Sequence, residues 1–111
     1  MTLNIALVSD QIAMDYLRPA FSARFPDARF HRIDTEVQEL DALADIDAVV
    51  CWSPPIGLLA RMPRLRLIQS VGGGTHPITR DTTRPDVPIC RILEAEKAAR
   101  MNANVARAVV P

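Results

Sequence analysis

An excess of charge of either sign is absent here: 13 Lys and Arg are balanced by 13 Asp and Glu, and the formal net charge at pH 7 is +0. A chain with no net field is not drawn to nucleic acid or to an anionic membrane surface. Its Lys and Arg are scattered, with no basic run. Cysteine is scarce. The 2 that occur, Cys51 and Cys90, lie inside or at the end of apolar runs, where a free thiol behaves as a small hydrophobe. A disulfide scaffold needs more of them and a secreted setting. The 2 histidines, His31 and His76, stand far apart with no Cys or carboxylate at ligand spacing, so no metal site is expected. No apolar run approaches the roughly 20 residues of a membrane span. The start, Met1-Thr2-Leu3-Asn4-Ile5, lacks the basic region and long apolar stretch of a signal peptide. A cytoplasmic protein without nucleic-acid or membrane partners is expected.

What is present is a chain of 111 residues, 49% of them apolar, enough for one domain with one modest core. Leu3-Asn4-Ile5-Ala6-Leu7-Val8-Ser9 has the length and β-branched content of a buried parallel strand. Ser9-Asp10 can cap the helix after it. Met14, Leu17, Phe21 and Phe25 recur at helical spacing, with Pro19 implying a kink or restart. Ala28 to Ile33 alternates polar and apolar, as an edge strand does. Val37, Leu40, Leu43 and Ala44 mark a short helix. Asp47-Ala48-Val49-Val50-Cys51-Trp52 is a second buried strand. A helical turn opened by Pro54-Pro55 comes next. Leu65 to Val71 is the next strand, broken by Gly72-Gly73-Gly74. A short helix is expected between His76 and Asp86, a last short strand over Val87 to Arg91, and a final helix from Glu94 to Val110. On that helix Ala98, Met101, Val105, Ala108 and Val109 share one face, and Lys97, Arg100, Asn104 and Arg107 another. Strands alternating with helices predict an α/β fold with a parallel sheet covered on both faces. Five strands in a chain of 111 residues point to the flavodoxin-like order.

In open parallel sheets ligands sit outside the carboxyl ends of the strands. Those ends carry Ser9-Asp10, Cys51-Trp52-Ser53, Ser70 to Gly74, and Arg91. The glycine triplet lets backbone N–H groups face a carboxylate or phosphate; a plain tight turn fits the spacing as well or better. It does not match G-x-G-x-x-G, since Pro77 stands where the last glycine belongs, and no P-loop is present. Trp52, the single tryptophan, either walls a small-molecule pocket or packs against Pro54-Pro55, and the two readings stand level. His31 reads as a solvated edge residue and His76 as a surface loop residue. Arg91 faces a ligand anion or pairs with Glu94. Cys51 and Cys90 read as inert thiols, and no nucleophile–base pair is legible.

Met62-Pro63-Arg64-Leu65-Arg66-Leu67-Ile68-Gln69-Ser70-Val71-Gly72-Gly73-Gly74 resembles the D-isomer-specific 2-hydroxyacid dehydrogenase family. There a leucine-proline-x-leucine-lysine/arginine-leucine-isoleucine strand runs into a V-G-A-G-V-D turn. Val87-Pro88-Ile89-Cys90-Arg91-Ile92-Leu93, then Ala98-Ala99-Arg100-Met101, resembles the glyoxylate/hydroxypyruvate reductase branch, with its V-P-L-x-R-L strand and A-x-x-M-x-E-Y-V helix. Trp52-Ser53-Pro54-Pro55 resembles the W-x-P-P segment of that branch. The motifs span roughly residues 48 to 109, and their order and spacing carry the likeness.

The resemblance implies one part of a two-domain oxidoreductase. Residues 1–93 would be the flavodoxin-like substrate-binding domain, and 94–111 the helix that crosses to an NAD-binding domain. It places Val71 and Gly72 on the substrate carboxylate with Gly73 beside them, Trp52 on the pocket wall, and Met101 near the nicotinamide side of the cleft. The ligand implied is a small 2-keto or 2-hydroxy acid. The cofactor is NAD or NADP in the family, with none bound by this chain alone. The family's catalytic Arg, Glu and His and its G-x-G-x-x-G turn lie in the other domain, so no catalytic residue is expected here. His76 stands at the Asp of the V-D pair, Thr75 at its Val, and Ala103-Asn104 at the Glu-Tyr pair of the helix. A crossing helix without its second domain would lack cover, which predicts a homodimer paired or swapped through it. The alternative is a stand-alone flavodoxin-like module that binds a small ligand or a protein. A receiver is disfavoured, because Asp10 stands alone after the first strand, Cys51-Trp52 follows the third and Arg91 ends the fifth.

Overall fold

A computed structural model describes residues 3–8, 18–33, 43–71, 74–91 and 97–109. The strands are β1 (Asn4–Val8), β2 (Arg29–Ile33), β3 (Ala48–Cys51), β4 (Leu67–Ser70) and β5 (Ile89–Cys90). The helices are α1 (Arg18–Arg24), α2 (His76–Thr79) and α3 (Lys97–Val109), with a 3-10 turn at Leu59–Arg61. All four strand pairings are parallel, and the order is β2-β1-β3-β4-β5. This is the flavodoxin-like order the alternation predicts. The alternating β2 segment lies at one edge and the two-residue β5 at the other. Met14, Leu17, Val37 and Leu40 lie outside the described residues, as does the Ser9-Asp10 cap. Pro19 is the second described residue of α1, and the kink or restart expected of it borders residues outside the described ones.

Because side chains alternate along a strand, the central strands supply two cores at once. Ile5, Leu7, Ala48, Val50, Leu67 and Val71 face one side with Phe21 of α1 and Met101 and Val105 of α3. Ala6, Val8, Val49, Cys51 and Ile68 face the other, under Leu43, Ile46, Leu58, Leu59, Met62 and Ile78. Every residue of β3 is buried. Burial of each Val, Leu or Ile contributes about 1.5–3 kcal/mol, so the middle of the sheet dominates the fold.

Two readings of the sequence are corrected by packing. His31 is half-buried and bonded through Nε2 to Asn4 Oδ1 at 3.0 Å, rather than solvated. Asn104 belongs to the docked face of α3, not its polar one, and is 6% exposed. Its Nδ2 donates to Gln69 Oε1 at 2.9 Å, and its Oδ1 accepts from Arg107. Gln69 lies between Leu67 and Val71 on the α3 side of β4, and its Nε2 donates to the carbonyls of Ser70 at 2.8 Å and Cys90 at 3.2 Å. Helix α3 is thus fixed on β4 by an amide pair set among apolar contacts. Met101 and Val105, both 0% exposed, are covered within the chain. The side chains of Ala98 and Val109 lie outside the described residues.

Replacing Asn104 with alanine leaves Gln69 Oε1 buried without its donor. The expected loss is about 1–3 kcal/mol, read as a lower urea midpoint at unchanged slope. An unchanged midpoint would show that the amide pair does not hold the helix.

Candidate functional site

The carboxyl ends of β3 and β4 lie side by side, with Cys51 opposite Ser70 in the parallel register. The ladder continues one residue further. The Val71 N–H donates to the Cys51 carbonyl at 3.0 Å. That bond fixes the start of the glycine turn against the start of the Trp52 loop. It also uses the Val71 N–H, which is therefore not open to a ligand, while the Val71 side chain is buried in the core. Gly72 and Gly73 lie outside the described residues. Gly74, which closes the turn, is held by the Ser70 hydroxyl, donating to its carbonyl at 3.0 Å. Ser70 is itself fully buried. A serine on the face that β4 otherwise fills with Ile68 was the available sequence signal for this tie.

Trp52 continues the alternation of Ala48 and Val50 and packs, half-buried, against the cluster that holds Phe21, Val71 and Met101. Its side chain stays partly exposed just beyond the carboxyl end of β3. Met101 is 0% exposed in the same cluster; it lies beneath the site and presents no surface to a ligand in this structure. His76 is exposed at the start of α2, and Arg91 is exposed after β5. Neither is brought to Trp52 or the turn by any described bond. Glu94 lies outside the described residues. Cys51 is fully enclosed, and burial pushes its thiol up to about 12, so no thiolate forms near neutral pH. Among the described residues no three His, Cys, Asp or Glu come together as metal ligands.

The loop after β3 is fastened to the segment after the glycine turn by residues the sequence reading did not single out. Asp81, 0% exposed, accepts the Gly57 N–H through Oδ2 at 2.9 Å. Its Oδ1 accepts the Thr83 hydroxyl at 2.6 Å and the Thr83 N–H at 2.9 Å. Gly57 has φ +92°, a backbone state that L side chains adopt only with strain. The neighbouring Arg80 donates through Nη2 to Ser53 Oγ at 3.4 Å and the Pro54 carbonyl at 3.3 Å, and through Nε to the Pro77 carbonyl at 3.1 Å. Ile56, 60% exposed, stands out of this loop between the two attachments.

Comparisons with known proteins bear on the fold. No family model and no curated protein matches the sequence. Solved structures do match. A D-isomer-specific 2-hydroxyacid dehydrogenase from Xanthobacter autotrophicus, in complex with NADPH and MES, aligns with a TM-score of 0.71 at 20% identity over 86% of this chain and 30% of its own. An NADPH-dependent glyoxylate/hydroxypyruvate reductase from Sinorhizobium meliloti, in complex with NADP and sulfate, aligns at 0.62 and 23% over 83% of this chain and 29% of its own. A D-isomer-specific 2-hydroxyacid dehydrogenase family protein from Klebsiella pneumoniae aligns at 0.56 and 24%, over 84% and 28%. The structural neighbours are thus those the sequence motifs led us to expect. At these identities the likeness establishes the fold, and the chain spans about 30% of the length of the first of them.

Burial pushes the Asp81 carboxyl up, but the Thr83 hydroxyl, the Gly57 and Thr83 N–H groups and the Arg84 guanidinium together hold it below the usual carboxylate range. The unfolded chain then binds more protons than the folded one as the pH drops, so this contribution to stability is present above about pH 4 and disappears as the pH falls through the lowered value. The stability gap between the unaltered chain and Asp81→Asn, measured by urea unfolding at successive pH, is expected to be constant above about pH 5 and to narrow below it. A gap independent of pH would contradict the assignment.

Proposed function

We propose that this chain is the substrate-binding domain of an NAD(P)-dependent D-2-hydroxyacid dehydrogenase acting on small 2-keto acids of the glyoxylate or hydroxypyruvate kind. The observation that carries the reading is the convergence of two independent lines on one place. The fold aligns with such enzymes over 86% of the chain. The two motifs that resemble theirs, Trp52-Ser53-Pro54-Pro55 and Val71-Gly72-Gly73-Gly74, are the two segments joined by the Val71–Cys51 bond. In this reading the N–H groups of Gly72 and Gly73 hold the substrate carboxylate and Trp52 walls the pocket. Val71 serves through its place in the ladder. Residues 1–93 form the domain and 94–111 lead to a second one.

Hydride transfer needs a nicotinamide, an acid or base, and a cation for the carboxylate. The sequence holds no G-x-G-x-x-G turn to seat a dinucleotide, and Met101, expected on the nicotinamide side, is buried. The residues present therefore do not fit the cofactor, and no step of the transfer is assigned to them. What this chain does is bind and orient a carboxylate. A cytoplasmic location belongs to this reading; among the described residues no helix is long and apolar enough to cross a membrane. Pairing of two copies through the last helix is the expectation from an uncovered apolar face. Met101 and Val105 are covered by the chain's own sheet, which takes these two residues of that face out of such a pairing. The same self-contained docking of α3 favours the second reading, a stand-alone module that binds a small carboxylate without reducing it.

Uncharged donors hold an anion weakly, since each net hydrogen bond contributes about 1 kcal/mol. Oxalate or glyoxylate is expected to bind with millimolar affinity, near roughly −4 kcal/mol. Calorimetric titration of the 111-residue chain checks this. Gly72→Val is expected to abolish binding and Trp52→Ala to weaken it less. No oxidation of NADH with glyoxylate is expected from the chain by itself. Binding unaffected by Gly72→Val would remove the glycine turn from the reading, and turnover of NADH would overturn the assignment of the chemistry to another domain.

A further inference from the structure

We propose that Arg80 and Asp81 are positioning residues that couple the glycine turn to Trp52, an inference resting on the reading of these two segments as one carboxylate site. They are consecutive, yet they grip the Trp52 loop at two points: Arg80 at Ser53 and Pro54, Asp81 at Gly57. On their other side they end a short, stiff piece of chain that starts at the turn. Gly74 is tied to Ser70. Thr75 to Asp81 is held by the bonds of Ile78 and Thr79 to Thr75, Arg80 to His76, and Asp81 to Ile78. Ile78, fully buried, pins that piece to the core.

The connection is therefore continuous from the end of β4, through Gly74 and α2, to the loop that carries Trp52. A shift of the turn by a ligand moves α2 or strains it, and either is transmitted to the loop through these bonds. Coupling of this kind is reciprocal: what the ligand does to the loop, the loop does to the affinity. Arg80 also suits the task because its three described acceptors are all neutral oxygens. Its guanidinium is aimed by the Trp52 loop and by α2 itself, with no carboxylate among them to draw it elsewhere.

The single tryptophan of the sequence reports the result without a label. In the chain free of ligand, Arg80→Met is expected to shift the Trp52 emission and raise its quenching by acrylamide, with the far-ultraviolet circular dichroism unchanged. Oxalate is expected to change the Trp52 emission of the unaltered chain, and its affinity is expected to fall about fivefold in Arg80→Met, the equivalent of one net hydrogen bond of ~1 kcal/mol. Asp81→Asn separates coupling from simple charge. An amide in place of the carboxylate can accept on one side only, so one of the Gly57 and Thr83 attachments is lost. Through-space charge alone makes oxalate bind more weakly to Arg80→Met and more tightly to Asp81→Asn, whereas coupling weakens both. Tighter binding to Asp81→Asn overturns the proposal, as does a Trp52 signal that neither Arg80→Met nor oxalate moves. If amide shifts show that oxalate reaches residues 72–74 while Trp52 stays silent, the coupling fails and the carboxylate site stands. If no amide there responds at all, both fall together.

Discussion

The parallel pairing of β3 with β4 is the constraint on which the rest depends. It aligns Ala48 with Leu67 and Cys51 with Ser70, and the Val71 N–H extends it onto the Cys51 carbonyl. A parallel register makes both strands end at the same edge, so the segments that leave them, Trp52 onward and Val71 onward, start as neighbours. Neither segment needs any further device to reach the other. Hydrophobic burial on both faces of these strands specifies the register. A slip by one residue would exchange the faces of Gln69 and Ser70 and break both the bond to Asn104 and the tie to Gly74.

Polar groups then refine what burial has set. Gln69 and Ser70 are adjacent, point to opposite faces, and each fixes one element that leaves the sheet. Gln69 fixes α3 and Ser70 the glycine turn. Unpaired, either would cost free energy in a buried strand. Paired, each allows one docking geometry and disfavours its neighbours. Arg80 and Asp81 play the same part for the Trp52 loop, at the surface and at the core respectively.

The sheet was legible in the sequence because its signals are strong and local. The apolar runs at Ile5 to Val8, Ala48 to Cys51 and Leu67 to Val71 had the length and β-branched content of buried strands, and the polar alternation of β2 marked an edge. Trp52 and the glycine turn stood out in the sequence as a proposed site because unusual residues follow directly on strands there. Asp81, Arg80 and Ser70 did not stand out. Such residues are abundant in loops of every kind, and their work is done by contacts 4 to 27 residues away in sequence. Asn104 misled for a related reason. Helical periodicity sorts side chains by polarity, whereas α3 buries an amide because a strand beneath it offers another. The donor role expected of Val71 is one the ladder had already taken, a fact visible only once the strand partner is known.

A crystal structure of the chain soaked with oxalate tests the central claim most directly. The account predicts one carboxylate bound by the N–H groups of Gly72 and Gly73, the Val71 N–H still on the Cys51 carbonyl, and Trp52 in contact with the ligand. Oxalate seated elsewhere, with the turn and Trp52 untouched, would contradict it.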